Sequence, residues 1–220
     1  MVKKIVGTGV LLVLALALQA GVKMYTLKSP DGKVKLEVTA GQGIAYSLFY
    51  DGRLLLKPSR IALHTDLPEA DHWENIRITG TKQRHVSETV QAPFYRVKEF
   101  GIDCNELELR LNNGFSLLMR AYNDGMAYRF VAGRKGEMTV VEERAEFNFA
   151  DDFEVYIPYS TNPKDPWNMA FQNFYTKAPL TQYNTELPAF LPLTVDAGAV
   201  KLTLLESDLE AYPGMFVRGD

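Results

Sequence analysis

Apolar side chains recur at every second position along most of this chain, and a period of two belongs to strands rather than helices. Val34, Leu36 and Val38 alternate with Lys33, Lys35 and Glu37. Ile44, Tyr46, Leu48 and Tyr50 carry the pattern to Asp51-Gly52, after which Leu54 and Leu56 resume it. Asp-Gly between two alternating runs predicts a tight hairpin, because glycine accepts the positive φ that such a turn demands. The same reasoning predicts a hairpin at Asn112-Asn113-Gly114, between Leu107, Leu109, Leu111 and Phe115, Leu117, Met119. A third is expected at Asn123-Asp124-Gly125, between Tyr122 and Met126, Tyr128, Phe130. Shorter strands are expected where Val140 accompanies Glu142, Phe147 accompanies Phe149 and Val155 accompanies Ile157. The apolar run at 202–205 reads as a more buried strand. No stretch carries convincing helical spacing. Many short strands with regular turn signals point to an all-β sandwich or barrel.

Three stretches break the rhythm, at 68–73, 161–176 and 181–188. The middle one contains Pro163, Pro166, Trp167, Phe171, Phe174 and Tyr175, which is too aromatic for a free linker and predicts a packed loop. No internal repeat, low-complexity tract or linker divides the chain. Its end, from Tyr212-Pro213-Gly214 to Asp220, stops in what reads as mid-structure, so a continuation is expected.

The first residues stand apart. Lys3 and Lys4 precede an apolar run at 5–18, and Gln19-Ala20 supplies a small residue at its end. Charged start, short apolar centre and small-residue exit make a secretory signal over 1–20, leaving 21–220 as the mature β domain. The run is shorter than the roughly 20 residues a spanning helix needs, so export without a membrane anchor is expected. Cys104 is the single cysteine. It excludes an internal disulfide and a lipid anchor at the cleavage site, and it reads as a small buried side chain. A net charge of -3 leaves no basic stripe for phosphates, which argues against nucleic acid as a partner.

Catalytic signatures are missing: no glycine-rich phosphate loop, no Gly-x-Ser-x-Gly elbow and no His pair at metal spacing. His64, His72 and His85 are scattered. The acidic cluster Glu206-Ser207-Asp208-Leu209-Glu210 follows the 202–205 run directly. Carboxylates just past a buried strand would face the sheet rim, where hard oxygen ligands suit calcium. The same cluster also reads as solvated loop carboxylates with Ser207 or Asp208 capping a turn. Trp73, Trp167, Tyr175 and Tyr183 lie in irregular stretches and are candidates for stacking on sugar rings, or else for core packing.

Four segments carry a resemblance. They are Tyr25-Thr26-Leu27-Lys28-Ser29-Pro30-Asp31-Gly32-Lys33, then Arg120-Ala121-Tyr122-Asn123-Asp124-Gly125-Met126-Ala127-Tyr128-Arg129-Phe130, then Ala145-Glu146-Phe147-Asn148-Phe149. The last is Glu206-Ser207-Asp208-Leu209-Glu210-Ala211-Tyr212-Pro213-Gly214-Met215. In this order, over nearly the whole mature chain, they resemble the amino-terminal domain of glycoside hydrolase family 97. The resemblance implies a galactose-mutarotase-like β-super-sandwich of antiparallel strands, followed in the family by a catalytic (β/α)₈ barrel. It further implies an exported, calcium-dependent, typically periplasmic enzyme acting on α-linked oligosaccharides, either α-glucosides or α-galactosides. The family's catalytic carboxylates sit on the barrel, so no catalytic residue is expected here and this chain by itself is expected to be inactive. Its implied contribution is one calcium ligand, for which Glu206 is the match, with the other ligands coming from the barrel. The alternative from the residues is a stand-alone sugar-binding module using loop aromatics; an adhesive or structural sandwich fits the ordered segments less well.

Overall fold

A computed structural model of the chain describes residues 23–162, 164–167, 173–209 and 212–219. The expected signal at 1–20 and the positions Pro163, Phe171 and Glu210 lie outside the described residues. The chain forms two compact units that divide between Asn148 and Phe149.

In the first unit the strands are β1 (Lys23–Lys28), β2 (Val34–Gly41), β3 (Gly43–Tyr50), β4 (Arg53–Thr65), β5 (Ile78–Gln91), β6 (Glu99–Leu111), β7 (Phe115–Tyr122), β8 (Gly125–Ala132) and β9 (Val140–Ala145). They build two antiparallel sheets, in the orders β1-β2-β3-β4-β9 and β5-β6-β7-β8. The expected hairpins are present. Asp51 and Gly52 both have positive φ, 48° and 78°, and so form the two-residue turn whose twist matches the strands it joins. Gly114 likewise takes φ 87° in the β6–β7 connection.

Alternation becomes burial. Leu36 lies opposite Leu48 and Val38 opposite Tyr46, all on the inward face of the first sheet. Leu107 faces Met119 and Leu109 faces Leu117 on the inward face of the second. β1 and β2 pack against β6 and β7, so the two apolar faces close on each other as a sandwich. Each fully buried Leu, Ile or Met contributes about 1.5–3 kcal/mol through the water it sheds. Cys104 is enclosed in β6, where burial pushes its thiol above the usual range.

One local expectation changes and one alternative is decided. Phe147 and Phe149 do not form a strand. At Lys57-Pro58, β4 bulges against β3, since Tyr46 pairs Ser59 while Leu48 pairs Leu56. Proline is tolerated in a strand at such a bulge. The segment 146–148 plugs it: the Lys57 N–H donates to the Asn148 carbonyl at 2.7 Å, and Asn148 Nδ2 donates to the Pro58 carbonyl at 2.8 Å. The Asn148 N–H completes the plug by donating to Ser59 Oγ at 2.9 Å. Trp73 is core rather than a sugar platform. It is 4% exposed, its Nε1 donates to the Leu63 carbonyl at 3.1 Å, and its ring stacks on Phe115 and meets the edge of Phe130. An indole is buried in this way only where its N–H finds an acceptor.

The second unit holds β10 (Glu154–Ile157), β11 (Thr176–Pro179), a 3₁₀ turn (Leu180–Gln182), β12 (Ala189–Phe190), β13 (Leu193–Ala197), β14 (Val200–Leu204) and β15 (Phe216–Val217). A four-stranded antiparallel sheet runs β11-β10-β13-β14, and β12 pairs with β15. Val155, Ile157, Leu193 and Val195 form its core. The 202–205 run is not the more buried strand the sequence suggests. β14 is an edge strand of half-buried and exposed positions, and Leu205 is 70% exposed. No α-helix occurs among the described residues, and none there is long and apolar enough to cross a membrane.

Replacing Trp73 by Ala opens a cavity between the sheets and leaves the Leu63 carbonyl without its donor. Chemical denaturation is expected to show a loss of about 3–5 kcal/mol, and a change within 1 kcal/mol would mean that the ring is not part of the core.

Candidate functional site

Glu206 follows the last residue of β14 by two positions, where the chain leaves the sheet, and β15 begins at Phe216. Its half-buried carboxylate accepts the Met215 N–H through both oxygens, at 2.8 and 2.9 Å. A side chain nine residues earlier thus closes the loop onto its own exit. Gly214 permits the approach: a Cβ there would stand 3.3 Å from Glu206 Oε1. Asp208 is exposed at φ 63°, the left-handed conformation that Asp tolerates, and the Tyr212 N–H donates to the Leu209 carbonyl at 3.0 Å.

A carboxylate has about four acceptor positions. One N–H shared between two oxygens leaves Glu206 able to take a cation as well. Calcium takes six to eight oxygens. Among the described residues no three of His, Cys, Asp and Glu stand together so as to hold a metal. Glu206 therefore fits one ligand position, and the described residues do not complete a metal site around it. His64 is engaged by Asp71 at 2.7 Å, and His85 by Asn105 and Asp103.

Aromatic rings gather beside the loop's exit. Phe216, next to Met215, meets Trp167 edge-on at 5.0 Å, and the Arg218 guanidinium lies over the same indole at 5.4 Å. Trp167 is 54% exposed, as expected of a candidate stacking ring. Tyr183 is anchored instead: its hydroxyl donates to the Val217 carbonyl at 3.2 Å and its ring meets Tyr159 at 5.1 Å. Tyr175 is half-exposed, with its hydroxyl on the Pro192 carbonyl at 3.3 Å.

The other signature segments are structural devices of the first unit. Within Ser29-Pro30-Asp31-Gly32-Lys33, Ser29 Oγ donates to Asp31 Oδ1 at 2.6 Å and accepts the Val34 N–H at 3.0 Å. The Ser29 bond, with the Lys33 N–H behind it, lowers the Asp31 pKa. The Asp31 N–H then donates to Asn123 Oδ1 at 3.0 Å, joining the first signature turn to the second across the sandwich. Glu106 on β6 had no forecast role. It is 4% exposed, receiving Arg84 Nε at 2.6 Å and Arg120 Nε at 2.8 Å. Arg84 first, and Arg120 with it, holds this carboxyl below the usual glutamate range against the opposing effect of burial. Cross-strand register makes the clamp, since Glu106 lies opposite both Arg84 and Arg120. Sequence spacing alone hides it.

Residues 27–220 match the family model described as glycosyl-hydrolase 97 N-terminal. The chain belongs to this family. It is 40% identical over 209 residues, 92% of its length, to a retaining alpha-galactosidase of Bacteroides thetaiotaomicron, of which it covers 31%. It is 25% identical over 158 residues, 70% of its length, to a probable retaining alpha-galactosidase of Streptomyces bingchenggensis, of which it covers 24%. The chain thus spans less than a third of the curated relatives it matches. Among solved structures it resembles a glycoside hydrolase family 97 enzyme of a Pseudoalteromonas species in complex with panose. That likeness has a TM-score of 0.63 and 19% identity, over 78% of this chain and 26% of the other. A beta-arabinopyranosidase gives a TM-score of 0.68 at 22% identity, over 78% and 29% respectively. Identities this low establish the shared fold, the antiparallel all-β sandwich read from the alternation.

Two outcomes follow from these contacts. Glu206→Ala removes a hydrogen bond to a charged group, worth about 1.5–3 kcal/mol, so exchange of the Met215 amide is expected to rise about tenfold or more while the core amides keep their protection. Unchanged exchange at Met215 would mean that the carboxylate does not hold the loop. Glu106→Gln is expected to cost about 1–3 kcal/mol at pH 7. A carboxyl whose folded pKa is depressed contributes stability above its unfolded value, here near 4.5, and loses it as pH falls through the folded value. Denaturation of the two proteins should therefore converge below that pH; a constant gap would disprove the charged clamp.

Proposed function

We propose that this chain is the amino-terminal domain of an exported retaining α-galactosidase, forming a wall beside a catalytic barrel and donating one calcium ligand through Glu206. The observation that carries the reading is the 40% identity along 92% of the chain to a retaining alpha-galactosidase about three times its length. Retention requires two carboxyl groups about 5–5.5 Å apart flanking the glycosidic bond. That pair is assigned to the catalytic domain, and this domain supports it.

Glu206 suits the assigned part. The Met215 N–H fixes the carboxylate's orientation, so little side-chain entropy remains to be lost when a cation binds. The remaining calcium oxygens would come from barrel residues and water. Bound there, calcium would supply a fixed positive charge at the active-site mouth. Residues 1–20 support export, and a periplasmic location suits an enzyme that meets oligosaccharides outside the cytoplasm.

The downstream reading frame is the first check: an open frame encoding a barrel supports the proposal, and a stop codon at Asp220 sinks it. In the polypeptide of the relatives' length, hydrolysis of nitrophenyl α-galactoside is expected to exceed that of the α-glucoside and to vanish with a chelator. Glu206→Gln should raise the calcium concentration for half-maximal activity at least tenfold while the melting temperature of the calcium-free protein stays unchanged. Identical calcium titrations would remove Glu206 from the metal.

A further inference from the structure

The second sheet of the first unit has an arm. β6 pairs with β7 only from Cys104 to Arg110, but its pairing with β5 runs on to Gln91 opposite Glu99. Residues 87–91 and 99–103 therefore continue as a two-stranded ribbon beyond the third strand, roughly 16 Å at ~3.3 Å per residue. The connection 92–98 caps the ribbon and is ordered by its own bonds. The Ala92 N–H donates to the Lys98 carbonyl at 2.7 Å, the Tyr95 N–H to the Ala92 carbonyl at 3.0 Å, and Gln91 Nε2 to Glu99 Oε1 at 2.9 Å.

Five large apolar side chains on this arm are open to solvent, among polar and charged neighbours. Phe94 is 97% and Tyr95 70% exposed; Val97, Phe100 and Val90 are about half-exposed. Val90 and Phe100 are direct cross-strand partners one pair before the end of the ribbon, and the cap that follows carries the other three. A two-stranded ribbon is marginal by itself in water, and a contiguous exposed apolar patch marks a contact.

Its size selects the occupant. With ~150–250 Å² per aromatic side chain, the five exposed residues offer on the order of 500 Å², short of the ~800 Å² per partner of a stable interface between free chains. A contact of that size holds when both sides share one polypeptide, because tethering supplies millimolar effective concentration. The curated relatives carry more than two thirds of their length beyond the part matched here. We propose that the 87–103 arm is the docking element that seats this domain in an apolar pocket of the catalytic domain of the same polypeptide. This rests on the α-galactosidase reading above.

Arg96 lies exposed in the cap and offers trypsin a cleavage site. The experiment compares native cleavage after Arg96 in this chain with that in the polypeptide of the relatives' length, each normalised to its rate in denaturant. Cleavage is expected to be at least tenfold slower in the longer protein, and F94S with Y95S in that protein should restore it. Both residues are exposed, so the double variant keeps the sandwich intact. Equal cleavage of the two forms overturns the proposal. So does a dimer of the short chain that the double variant converts to a monomer, which would assign the arm to a second copy. Galactosidase activity in the same preparations separates the two readings. Active enzyme with an open Arg96 sinks the docking alone; a protected Arg96 without hydrolysis sinks the enzymatic reading alone.

Discussion

Two apolar sheet faces closing on each other are what every other feature of the first unit depends on. Neither the β1-β2-β3-β4-β9 sheet nor the β5-β6-β7-β8 sheet could keep its inward Leu, Ile and Val side chains dry alone. Once stacked, they exclude water from both faces, and the polar turns at their ends fix how one lies over the other. The Asp31 N–H on Asn123 and Asn105 Nδ2 on the Lys28 carbonyl make that connection from the β1–β2 turn to β7–β8 and β6. Residues of the first two signature segments serve geometry there.

Strand identity was legible where one face is wet and the other dry, because alternation is the imprint of that asymmetry. β2, β3, β6 and β7 were accessible for this reason. β5 was not, since it is an edge strand with Thr79, Lys82, Arg84, His85 and Glu88 along it and only Val86 buried. Its place is dictated by pairing with β6, a long-range fact that no window of sequence contains. Trp73 was left between two readings, and the fold decides for core packing. It lies in an irregular stretch beside His72, yet its indole N–H finds a backbone carbonyl and the ring enters the core. The 202–205 run shows that apolar content measures neither burial nor position in a sheet; among the described residues no strand pairs with β14 on its outer side.

The candidate site was legible in part. Glu206 stands out as a carboxylate just beyond a strand. Its tie to Met215 is accompanied by the left-handed Asp208 and the small Gly214, and periodicity says nothing of either. The Glu106 clamp was equally hidden, because its arginines come from strands on both sides of β6. The two carboxylates illustrate different uses of one group. Glu106 has its charge matched by two guanidiniums and holds a sheet together, whereas among the described residues Glu206 takes one neutral backbone donor and closes a loop.

The enclosure of Cys104 has a bearing on how such a domain matures. It is the chain's single thiol and it lies within the second sheet. In any oxidising medium, mixed disulfides can capture it only before β6 and its neighbours have closed. The redox hazard for this domain is thus confined to the interval of its folding, and the finished sandwich carries none.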